Sequence, residues 1–142
     1  MRALGHAEPD APVPPAECFG DSVELADELL ALIIHGPKRA TAGAYDDYLG
    51  DGTPIPTIGT STIALDGRAV PRALLRTTDV RIGPLSSVDD QFAWDEGEGD
   101  RTRESWLRDH QAFFERYLPT VGLELSPDMP TVFERFELVA TE

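Results

Sequence analysis

Cysteine and lysine are almost missing from this 142-residue sequence, each occurring once. A lone cysteine, Cys18, excludes an intrachain disulfide and a thiol-rich metal site. The three histidines, His6, His35 and His110, lack the spacing of zinc ligands. No Asp-x-Asp-x-Asp-Gly run with a distal glutamate marks a calcium loop. No metal and no other cofactor is therefore expected. Positive charge is scarce as well: 12 Lys and Arg stand against 26 Asp and Glu, a net charge of -14. Proteins hold long nucleic acids largely by neutralising phosphates, so duplex DNA is an unfavourable partner. A small, neutral or weakly charged ligand suits this charge better. No apolar run approaches the roughly 20 residues that cross a bilayer. The first residues, MRALGHAEPDAPVPPAE, show neither a signal peptide's apolar stretch nor a transit pattern. A cytoplasmic location with no membrane partner is the expectation.

What is present reads as one soluble domain, with 41% hydrophobic and 27% charged residues. Pro9, Pro12, Pro14 and Pro15 mark residues 1–17 as a disordered leader, leaving a single domain over 18–142. GDSVELADELLALIIHG is the clearest helix: Asp21 or Ser22 caps it, and Gly36 and Pro37 stop it. Between them, Ala26, Leu29, Leu30, Ile33 and Ile34 share one face. RATAGAY begins a strand, and DDYLGDGTPIPTIG reads as a turn-rich connection. TSTIALDG, VPRALLRTTDVRIG and TVFERFELVAT read as further strands, with Asp79 and Arg81 as an outward pair. PLSSVDDQFAWDEGEGD predicts a short helix capped by Ser86 or Ser87 and ended by Gly97. DRTRESWLRDHQAFFERYL predicts a longer one carrying Trp106, His110, Phe113 and Tyr117 on one face. This element order is α+β.

The single lysine, Lys38, lies in IIHGPKRATAG, while every other basic side chain is arginine. By itself it reads as a solvated cation opposing a helix C-terminal dipole. GPKRAT after an amphipathic helix, followed by TTDVRIGPLSSVDDQFAWDEGEGDRTRESWLRDHQAFF, resembles the ASCH domain family of the PUA-like superfamily. The resemblance spans roughly Phe19 to Val139. It implies a small β-barrel of five to six mostly antiparallel strands with helices over its ends and a ligand cleft. Relatives have been proposed as RNA-binding modules, as amidohydrolases of acylated cytidine, or as ribonucleases.

The amidohydrolase branch uses a lysine, a threonine three residues on and a later glutamate. Their counterparts here are Lys38, Thr41 and Glu96. In that scheme Thr41 is the nucleophile, Glu96 the proton donor, and Lys38 the base, provided that its pKa is depressed. Arginine cannot lose its proton and so could not replace it. One position departs from the branch: Gly43 stands where acylcytidine amidohydrolases carry arginine. The fit to acetylcytidine is therefore weaker than the fit to the reaction. Tyr45, Trp94, Trp106 and His110 are candidate ligand contacts, although Trp106 with Phe113 and Tyr117 also reads as core, and His110 as a packing residue. Hydrolysis of a small amide, possible partners being a nucleoside substrate or short RNA, is the leading expectation. An RNA- or nucleotide-binding module and a ribonuclease are the alternatives.

Overall fold

A computed structural model of the chain describes residues 14–141. The leader assigned to 1–17 lies mostly outside these residues. Ala16 and Glu17 of that segment, together with Cys18, form strand β1 (Ala16–Cys18).

Helix α1 (Val23–His35) forms where the apolar spacing predicts it. The Ser22 hydroxyl caps it, accepting from Leu25 N at 3.1 Å. Ala26, Leu29, Leu30 and Ile33 bury the inner face. Strand β2 (Ala40–Ala44) follows. The stretch read as a turn-rich connection instead opens with a short helix, α2 (Tyr45–Asp51), closed by Gly52 in the left-handed conformation. No side chain caps α2 and none of its residues is fully buried. It is held from outside, the Tyr117 hydroxyl donating to Asp47 at 2.8 Å. Tertiary contacts here outweigh local propensity.

Strands β3 (Ser61–Leu65), β4 (Pro71–Pro84) and β5 (Pro130–Thr141) complete a five-stranded sheet of order β1-β3-β4-β5-β2. β1 runs parallel to β3, and the other three pairings are antiparallel. The sheet is therefore mixed and curled, with β1 and β2 at its two edges. The long β4–β5 pair forms its spine, with register shifts at Leu74/Leu75 and Thr77/Asp79. Such bulges bend strands and deepen twist.

Between β4 and β5 lie α3 (Asp90–Glu96) and α4 (Arg103–Tyr117). Ser86 and Ser87 sit in a single 3₁₀ turn and do not cap α3; that role falls to Asp89, whose carboxylate accepts from Phe92 N at 2.7 Å. Thr102 caps α4. Asp79 and Arg81 do not pair with each other. Asp79 faces Arg135 at 3.6 Å, while the Arg81 guanidinium lies over Phe133 and donates to Ser87.

Of three apolar clusters, two join the helices to the sheet. One joins α1 to Phe19, Ala64, Ala73, Leu75 and Phe136. The other joins α3 and α4 to Ala40, Ala44 and Phe133, with Phe92 edge-on to both Trp106 and Phe133. The link from α1 to β2, which carries Lys38, runs between the two helical layers.

Candidate functional site

Lys38 is buried to 1% exposure. Its backbone is fixed on both sides: Lys38 N donates to Leu32 O, and Arg39 N donates to Asp95 O at the end of α3. Gly97, just past α3, has φ +70, and a Cβ there would stand 2.8 Å from Lys38 N. Only glycine meets both demands, so Gly97 lets the end of α3 lie directly on the lysine's backbone.

The ammonium is fully engaged. Nζ donates to Ala40 O at 2.7 Å, to Glu96 Oε1 at 3.2 Å and to Glu98 Oε2 at 2.7 Å. An ammonium has three N–H bonds, and these partners use all of them. Glu96, also 1% exposed, holds its other oxygen against Trp106 Nε1–H at 2.5 Å and His110 Nε2 at 3.2 Å. His110 Nδ1 faces Trp106 O at 2.9 Å, and its ring stacks on Trp106 with centroids 3.8 Å apart. Both imidazole nitrogens thus face acceptors, and although burial opposes the charge, the Glu96 carboxylate raises the ring's pKa above the ordinary histidine value and favours the imidazolium.

These contacts set the proton affinities. Burial alone would strip Lys38 of its proton, but Glu96 and Glu98 outweigh it and raise its pKa above the ordinary lysine value. The depressed pKa that a lysine base requires is absent, and Lys38 stands as an ammonium. Burial opposes the charge of Glu96, yet the cations of His110 and Lys38 hold its carboxyl well below the usual range. Glu98 behaves otherwise. Burial and its hydrogen bond to Glu96 push it up to about 7, against the pull of Lys38. Two cations and one fixed carboxylate thereby leave a second carboxyl that titrates near neutrality.

A cavity of about 350 Å³ opens over this network, bounded by Phe19, Leu29, Thr41, Glu98, His110 and Phe113 among others. The Glu98 side chain is 28% exposed and so reaches the cavity. Thr41, on β2, lines the same cavity, and among the described residues its hydroxyl has no protein hydrogen-bond partner. Lys38, Thr41 and Glu96 therefore border one space, although Thr41 makes no hydrogen bond to Lys38. Of the candidate ligand contacts, His110 lines the cavity. Trp106 lies behind it as core and orients Glu96. Trp94 is 54% exposed on the outer side of α3, and Tyr45 begins α2; neither borders the cavity.

Glu98 was not among the candidate site residues of the sequence. Its place two residues after Glu96 on a glycine-flanked turn was the available signal. Tyr48 was not among them either, although its ring covers Gly43 so closely that a Cβ there would meet Cε2 at 2.9 Å. The aromatic ring takes the space in which a longer residue at 43 would begin.

Among the described residues, Glu96, Glu98 and His110 place potential ligand atoms within 4.8 Å of one another. A metal there would have to displace the Lys38 ammonium and take the Nε2 proton of His110. The trio as built is a proton and ion-pair network.

A mixed, curled sheet with a buried lysine–carboxylate network between its helical layers defines an α+β protein of PUA-like type. More narrowly, the chain belongs to the ASCH domain family, whose model matches residues 16–140. It is similar to the crystal structure of a protein of Enterococcus faecalis placed in the DUF984 family. The identity is 36%, covering 93% of this chain and 80% of that one, with a TM-score of 0.84. It is also similar to an ASCH domain of Lactobacillus crispatus, at 26% identity over 98% of this chain and 90% of that one, with a TM-score of 0.83. No curated protein matches significantly. Among the described residues, no helix is long and apolar enough to cross a membrane.

Proposed function

We propose that the cavity hydrolyses a small amide, with an N-acylated cytosine nucleoside as the first compound to try. The observation that carries this reading is Glu98: a cavity-facing carboxyl near neutrality, 2.7 Å from a buried ammonium and lining the same cavity as an unengaged threonine hydroxyl. A group with a pKa close to working pH exchanges protons in both directions most effectively.

In this scheme Thr41 Oγ1 adds to the amide carbonyl carbon while its proton passes to the Glu98 carboxylate. Glu98 then protonates the amine nitrogen as the C–N bond breaks, leaving an acyl ester on Thr41. Water adds to that ester with Glu98 again taking the proton. Collapse releases the acid and returns the proton to Thr41. Lys38 enters as a fixed cation rather than as the base. Glu96, held by His110 and Trp106, fixes Lys38 in turn.

Incubation with acetylcytidine and measurement of cytidine release tests the reading. Glu98→Gln and Thr41→Val are each expected to lose about 100-fold or more in kcat. Lys38→Arg, which cannot fit its larger planar group among the same three acceptors, is expected to be inactive. No turnover by wild type, or full turnover by Lys38→Arg, sinks the proposal.

A second reading, an RNA- or nucleotide-binding module, draws on Trp94, a half-exposed ring with the Arg101 guanidinium over it, as the place where a base could stack. The charge opposes it. Arg72, Arg76, Arg108, Arg116 and Arg135 are paired with carboxylates, and Arg39 and Arg103 donate to backbone carbonyls. Quenching of tryptophan fluorescence by short RNA at low salt would support it, and the absence of quenching would reject it.

A further inference from the structure

The turn that carries Glu98 is short and conformationally costly. Between the end of α3 and the cap of α4, three residues take the left-handed conformation: Gly97 at φ +70, Gly99 at +58 and Arg101 at +61. Glycine does so freely, but a side-chain-bearing residue does so at about 1–2 kcal/mol. Such a conformation persists where surrounding contacts determine it.

The contacts of Arg101 are specific. Its backbone N–H donates to Glu98 O at 3.1 Å, closing a turn over Gly99 and Asp100. Its Nε donates to Trp94 O at 3.0 Å, and its guanidinium lies 3.6 Å from the centroid of the Trp94 ring. That carbonyl also accepts from Gly97 N, so Arg101 completes the C-terminal cap of α3, where a cation also suits the helix dipole. Arg101 is not among the residues that border the cavity. Its side chain lies against Trp94, which is half-exposed.

Glu98 is otherwise thinly held. Its carboxylate hydrogen-bonds to Lys38, and its carbonyl is fixed by the Arg101 N–H. Its neighbours on the inward side are Glu96 from α3, Lys38 from the α1–β2 link, and His110 and Asp109 from α4. Moving the carboxyl away from Lys38 and Glu96 would change the balance that sets its proton affinity. The far anchor of the turn, Gly97 on the lysine backbone, has no side chain with which to resist such movement.

We propose that Arg101 is a positioning residue for the site: latched over the Trp94 ring outside the cavity, it holds the turn that directs the Glu98 carboxyl inward onto Lys38. The inference rests on the reading of Glu98 as the proton carrier, and a titration separates the two. Glutamate side-chain carboxyls labelled with ¹³C are titrated by NMR in the full chain, with Glu98→Gln assigning the resonance. Wild-type Glu98 is expected to titrate near 7. In Arg101→Gly, which suits the backbone but removes the latch, the midpoint is expected to fall by about one unit or more toward the ordinary glutamate value. Arg101→Lys, which keeps a cation beside the ring, is expected to recover part of that shift. The acid limb of amide hydrolysis is expected to move to lower pH in step, with KM little changed.

An ordinary midpoint in wild type overturns the functional reading. A midpoint near 7 in wild type that Arg101→Gly leaves unchanged overturns the positioning role alone. Trp94→Leu, which removes the ring but keeps the carbonyl, applies the same criterion should Arg101→Gly fail to fold.

Discussion

Lys38 is costly to bury and is held only because each of its protons has an acceptor. The Coulombic attraction in such a network does little more than offset desolvation, yet removing one partner strands the others. Lys38→Met would leave Glu96 buried at 1% exposure with His110 as its one remaining cation. A loss of about 3–5 kcal/mol in urea unfolding is expected. Adding Glu96→Gln to Lys38→Met should recover part of it, since the stranded charge is then gone. Equal losses in the single and double variants would show that packing, not charge, dominates. At the same scale, activity that depends on ionised Glu98 should rise as pH passes through about 7, and initial rates across buffers check it.

Glu98 also shows why part of the site was hard to read in the sequence. Lys38 and Glu98 are 60 positions apart, and no periodicity links them. Their encounter depends on the end of α3 resting on the α1–β2 link. Lys38, Thr41 and Glu96 were singled out through the resemblance to the ASCH family; local pattern alone reads Lys38 as a solvated cation at a helix end. The protonation state of Lys38 was not legible. It is set by two carboxylates and a carbonyl whose positions only the fold supplies.

Among the elements, the C-terminal end of α3 is tied to its neighbours on several sides. Asp95 O receives Arg39 N, the Asp95 carboxylate receives Arg135, and Gly97 lies against Lys38. Gly97→Ala combines a 2.8 Å clash with backbone and a left-handed φ. It should destabilise the fold by about 2 kcal/mol or more, measured by urea unfolding, and abolish hydrolysis as Lys38 shifts. Helix α1 was legible from its cap and apolar spacing, and α4 from the shared face of Trp106, His110, Phe113 and Tyr117. Helix α2 was not, since Tyr45–Asp51 has no side-chain cap, contains a glycine and buries no residue fully. β1 was hidden for a related reason. Its three residues, next to a proline-rich stretch, become a strand only through parallel pairing with β3.

For the whole molecule, the excess of acid makes stability fall toward alkaline pH. Glu17 on β1 is pushed up to about 7 by burial and then by the charge of Glu134. Its folded pKa exceeds its unfolded value, so the fold binds the proton more strongly than the open chain does. That contribution is complete below about 4.5 and is lost as pH rises through about 7. Glu17→Gln should therefore flatten the pH dependence and raise stability at pH 8 by a few kcal/mol, read from thermal or urea unfolding across pH. Opposite behaviour marks the acid side, where Glu96 and Asp21 have lowered pKa values and their stabilisation is lost as pH falls through them. With a net charge of -14, moderate salt should also raise the melting temperature by screening self-repulsion.

The burial of Lys38 has a practical consequence for chemical labelling. The sequence contains no other lysine, so no lysine amine faces solvent in the folded state. An amine-reactive ester can acylate this side chain only when the end of α3 lifts from the α1–β2 link. The rate of acylation at Lys38, separated by peptide mapping from acylation of the chain's α-amine, would report on how often the site opens, without any substrate.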